Sequence, residues 1–166
     1  MRHARTGFDA VLLGDGAVLA VGDDFACMPG GAVSGSERAE VYDPVADTWV
    51  DVESLNKARK VPATVVLRDG SALVIGGWNS DDQPFSSTKA FSPATRTWTS
   101  GTLLDEARGQ PIATVIDRGR ILVLSDNPTK DRQSVETSGE IRAPTTGIWS
   151  PAGTLPPLIH SRCRRE

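Results

Sequence analysis

Apolar residues fall in short runs along this chain, and polar turns break each run after a few residues. First runs occupy residues 8–13, 63–67 and 112–116, and second runs follow at 17–21, 72–75 and 121–124. Shorter third runs lie at 39–42, 89–91 and 140–142, and fourth runs begin at Trp49, Trp98 and Trp149. No run shows helical spacing, and Gly, Pro, Asn and Asp separate them, so each is predicted as a strand. The register is shared. Arg5, Arg59 and Arg108 each stand eleven residues before a turn glycine, Gly16, Gly70 and Gly119. Leu55, Leu104 and Leu155 each follow a Trp by six. The pattern predicts four strands, three times over.

The turn before each Trp also repeats. Asp43-Pro44 leads to Thr48-Trp49, Ser92-Pro93 to Thr97-Trp98, and Ala143-Pro144 to Ile148-Trp149. Proline presets φ for such turns. The Trp spacings of 49 and 51 residues indicate an array. Four apolar residues before Gly76-Gly77, an aromatic at Tyr42 or Phe91, and a Trp six before Leu resemble the kelch repeat. With its Asp-Gly turns, the chain is similar to the central domain of the galactose oxidase superfamily. The resemblance implies an all-β fold: three four-stranded antiparallel kelch-type blades forming part of a β-propeller. The blades are expected over about residues 5–54, 59–103 and 108–154, within a domain of 1–155. Residues 156–166 read as an irregular tail, the truncated start of a further repeat. Departures are Gly22-Asp23 in the first copy, and Ser125-Asp126 with Arg142 in the third.

A blade has two apolar faces and needs cover on both. Propellers take 4 to 8 blades, so three cannot close a ring. An open face of ~400 Å² costs about 10 kcal/mol at ~25 cal/mol per Å². Self-association or additional blades are therefore expected to complete the ring. A fragment of a longer propeller is the first reading and a six-blade dimer the second.

Composition changes the picture little. The net charge of −3 gives no reason to expect nucleic acid or an anionic membrane. No stretch reaches the apolar length of a membrane helix. The N-terminal residues lack the pattern of a secretory signal, and a cytoplasmic location is the default expectation. Cys27 and Cys163 have no metal-ligand spacing, and their redox state is open.

Catalytic sets are not evident. No Gly-x-Ser-x-Gly elbow occurs, and His3 and His160 have no partner at ligand spacing. Galactose oxidase holds copper with Tyr and His and a Tyr–Cys cross-link. Tyr42, the chain's one tyrosine, stands at a structural repeat position, so neither the copper site nor any other cofactor is carried over. The candidate contact residues are in the loops after each second strand: Asp23 and Asp24, then Trp78, Asp81, Asp82 and Phe85. Loops on a rigid scaffold commonly carry recognition, and aromatic anchors dominate binding surfaces. A protein-binding module is the first functional reading. The alternative is part of a galactose oxidase-like or sugar-modifying enzyme whose catalytic residues lie outside this chain. Trp49, Trp98, Trp149, Gly76, Gly77, Arg59 and Arg108 are read as structural, the arginines as ligands of backbone carbonyls or partners of a Trp ring.

Overall fold

A computed structural model describes residues 1–22, 36–128 and 135–154. The expectations for Asp23, Asp24, Cys27, Leu155, His160 and Cys163 fall outside these residues. Among the described residues twelve strands form three antiparallel sheets. Blade 1 holds β1 (Phe8–Leu12), β2 (Val18–Gly22), β3 (Ala39–Asp43) and β4 (Thr48–Asp51). Blade 2 holds β5 (Ala63–Val66), β6 (Ala72–Ile75), β7 (Thr88–Ser92) and β8 (Thr97–Ser100). Blade 3 holds β9 (Ile112–Val115), β10 (Ile121–Pro128), β11 (Val135–Arg142) and β12 (Trp149–Thr154). Every sheet is a meander in chain order, and the first strands β1, β5 and β9 lie side by side.

In the third blade the strands outrun the apolar pattern. The runs at 121–124 and 140–142 lengthen into the polar residues between them. Backbone pairing runs past Ser125↔Ser138 to Pro128↔Val135. Val and Thr suit a strand backbone, and Pro128 closes β10, where a missing N–H interrupts no ladder. The turn at Asp117–Gly119 is a single 3₁₀ turn with Arg118 at φ +56°.

Strand periodicity explains the packing. Alternate residues of a strand face opposite sides. On β6, Ala72 and Val74 join Leu13, Leu19, Val21, Ala39, Val41 and Leu55 of blade 1. Their neighbours Leu73 and Ile75 join Ile121, Val123 and Trp149 of blade 3. Blade 2 is thus covered on both faces, and all four side chains of β6 are buried.

Register places each Trp in a row that crosses its blade. In blade 2 the row is Val66, Ala72, Phe91, Trp98, and it faces blade 1. Trp98 tilts onto Phe91 at 4.9 Å, and its indole N–H donates to the Glu53 carbonyl at 2.6 Å. In blade 3 the row is Val115, Ile121, Arg142, Trp149, facing blade 2. Arg142 takes the place of the aromatic. Burial lowers its pKa, and Asp69 acts against that shift. In blade 1 the row is Leu12, Val18, Tyr42, Trp49. Here Trp49 tilts onto Tyr42 at 5.2 Å, and among the described residues no blade lies beyond it. Trp98 and Trp149 thus pack in the clusters between blades, while Trp49 lies on a row that meets no further blade among the described residues. Leu12 on β1 and Ile112 on β9 are 65% and 73% exposed at the two ends of the set.

Gly76 and Gly77 end β6 at φ +59° and +94°. A Cβ on Gly76 would stand 2.5 Å from the Arg108 carbonyl oxygen, and one on Gly77 would stand 2.8 Å from that of Lys60. The pair lets one strand end touch the entry segments of two blades. Gly77 N–H donates to Arg108 O at 2.8 Å. Gly76→Ala is expected to lower stability by about 2 kcal/mol through positive φ and this clash, read from urea denaturation. An unchanged midpoint would contradict the close approach.

Candidate binding face

The loop after β6 doubles back on itself. Asn79 organises it: its side-chain oxygen accepts the N–H of Asp81 at 2.9 Å and of Gln83 at 2.8 Å. Its backbone N–H donates to Gln83 O, and its carbonyl accepts Asp82 N–H. Asp82 sits at φ +54°, a conformation that Asp tolerates better than most residues. The buried Lys60 ammonium donates to the exposed Asp82 carboxylate. The tip, Ser80 to Gln83, is exposed while its base is held.

Trp78 forms the base. Its backbone exchanges both hydrogen bonds with Lys60 at 2.9 Å. A Cβ added at Gly109 would come within 2.0 Å of the Trp78 indole, so this ring lies on the entry to blade 3. Phe85 closes the hairpin. Its ring covers the Arg59 guanidinium at 4.5 Å, with the Lys57 ammonium at 5.9 Å. The structure therefore brings Trp78, Asp82 and Phe85 together through Lys60 and Arg59, and leaves Asp81 exposed at the tip. Trp78 and Phe85 are half-buried, so much of each ring packs within the chain.

Beneath this face each blade carries one buried arginine. Arg5 donates through Nη1 to Gly22 O at 2.8 Å and Arg38 O at 3.0 Å. Arg59 does the same to Gly76 O at 2.8 Å and Ser87 O at 3.0 Å. Arg108 reaches Ser125 Oγ at 3.0 Å and Ser138 O at 2.9 Å. In blades 1 and 2 the arginine ties the end of the second strand to the start of the third; in blade 3, where both strands are longer, it bridges interior positions of β10 and β11. A carboxylate completes the clamp in blades 1 and 3. Glu40 accepts Arg5 Nε at 3.0 Å, and Glu140 accepts Arg108 Nε at 3.1 Å and Nη2 at 2.9 Å. Blade 2 has Lys89 at this place. Arg59 Nε has no hydrogen-bond partner, and burial draws the Arg59 pKa down to about 10.

The kelch motif matches residues 59–102, from the buried Arg59 to just beyond β8. Blade 2 is a kelch repeat. The three four-stranded sheets fit a kelch-type partial propeller, with blades 1 and 3 repeating the register of the matched copy. No curated protein matches the chain.

Glu40 and Glu140 are the residues that sequence reasoning missed. Each stands two positions before the Trp-row residue of its third strand, where Lys89 stands in blade 2. Aligning the three copies column by column would have flagged a charged residue in a buried strand. Among the described residues no three of His, Cys, Asp and Glu gather at metal-binding range, and no helix is long and apolar enough to cross a membrane.

Proposed function

We propose that this kelch-repeat module binds a protein partner through the hairpin that follows β6. The supporting observation is a tip, Ser80–Gln83, that is exposed yet fixed from below by Asn79 and Lys60. A loop already held in one shape loses little entropy on binding. Asp81 and Asp82 give it negative charge for a basic partner. Asp81→Ala is the cleaner probe, because Trp78 also supports the entry to blade 3. Asp81→Ala is expected to cut recovery of a basic partner in pull-down several-fold with the melting temperature unchanged. Equal recovery would contradict the reading.

Further blades cover the open rows, from a longer chain or a second copy. The Leu12–Trp49 row of blade 1 has the register of the row by which blade 2 meets blade 1. Leu122 and Ile141 of blade 3 pair in the register by which Leu73 and Ala90 pair in blade 2, on the side that meets blade 3. The two ends are thus complementary, and two copies related by a two-fold axis would close a six-blade ring.

A further inference from the structure

We propose that blade 2 keeps open the carboxylate position that blades 1 and 3 fill with their own glutamates, and that it accepts a carboxylate from outside the chain. The inference is independent of the hairpin reading: a chain that bound nothing through its tip would still offer this position.

Internal comparison defines the missing group. In blade 3, Glu140 accepts from Arg108 Nε, from Asp105 N–H at 2.8 Å and from Glu106 N–H at 3.3 Å. In blade 1, Glu40 accepts from Arg5 Nε and from Arg2 N–H at 2.6 Å. Counting back from each arginine, Arg2, Asn56 and Asp105 occupy one position of the repeat. Blade 2 therefore presents the same donors, Arg59 Nε and the amides of Asn56 and Lys57. Among the described residues none of these three has an acceptor. Arg59 is 1% exposed, so its unanswered Nε–H is a buried donor, and such donors are normally satisfied.

Neighbouring groups do not supply the acceptor. Lys89 turns its ammonium to Ser100 Oγ at 3.2 Å. Phe85 covers the guanidinium, but a ring face attracts a cation without offering a lone pair to an in-plane N–H. Lys57 and Lys89 add positive charge around the position, and Lys60 is already answered by Asp82. Asn56 and Lys57 are exposed, so a carboxylate approaches across the segment joining blades 1 and 2. The ligand class is a carboxylate, from a small organic acid or from an acidic side chain of a partner.

The test follows the Arg59 Nε–H signal by nitrogen–proton NMR, assigned by its loss in Arg59→Lys. Sodium acetate and a penta-glutamate peptide are titrated separately, with sodium chloride at matched ionic strength as control. A saturable shift with acetate or peptide, absent with chloride, is expected. Lys89→Glu installs the missing acceptor; it is expected to raise the melting temperature and weaken both ligands about ten-fold or more. Lys89→Gln removes the ammonium without filling the position and is expected to retain the shift. Acetate binding as tightly as the peptide assigns a small acid; tighter peptide binding assigns a partner's side chain. No saturable shift in the unaltered chain overturns the proposal whether or not Lys89→Glu folds. An undiminished shift in Lys89→Glu, or its loss in Lys89→Gln, overturns it too.

Discussion

Glu140→Ala is expected to lower the unfolding free energy by about 3–5 kcal/mol, the usual cost of breaking a buried ion pair from one side. The carboxylate is 3% exposed and the Arg108 side chain 1%, so neither charge is answered by bulk water. Removing Glu140 leaves Arg108 Nε and Nη2 short of their main acceptor and strands the amides of Asp105 and Glu106. Three parts of the fold meet there: the entry to blade 3, the strand β11 and the middle of β10. Loss should therefore appear as a lower urea midpoint. Glu106→Ala serves as the control. Its carboxylate also reaches Arg108, at 3.6 Å, but is half exposed, and its removal is expected to cost under about 1 kcal/mol. Equal losses from the two substitutions would show that the clamp is not a buried pair.

Phe91→Ala is expected to cost about 3–5 kcal/mol by cavity formation. Phe91 has no exposed surface and belongs to the cluster that joins blades 1 and 2. It also carries Trp98, which reaches across to Glu53. The truncation loses its own burial and loosens a ring that spans two blades. Tyr42→Ala removes the corresponding residue from the open row of blade 1, where one side of the ring pair meets no blade. It is expected to cost less than half as much in the isolated chain. Comparison of the two denaturation midpoints checks the difference; equal costs would mean that the blade 1 row is already covered.

The array was legible because strands and turns are local. Apolar runs of strand length, glycines at hairpins and Trp after a proline turn all follow from short-range chemistry, and three copies in phase remove the ambiguity of any one. Strand β10 was legible only to Leu124. Beyond it the residues are polar, and their pairing with 135–138 depends on the partner strand rather than on their own pattern. The arginine clamps were half legible. Their spacing to glycine marked them as structural, yet their carboxylate partners lie 35 and 32 residues away, a separation no periodicity reports. The hairpin was legible as a polar loop with two aromatics. That Trp78 rests on Gly109 and Phe85 on Arg59 was not, because both contacts are tertiary.

The central claim is that both ends of this three-blade set are inter-blade surfaces rather than solvent faces. Light scattering of the purified chain, with dye binding by exposed apolar surface measured on the same sample, tests it most directly. The account predicts either a dimer with little dye binding, the two-copy ring, or a dye-binding species prone to aggregate, the set lacking its further blades. In the first case Leu12→Glu should return the monomer. A monodisperse monomer that binds no dye and unfolds cooperatively would contradict the account.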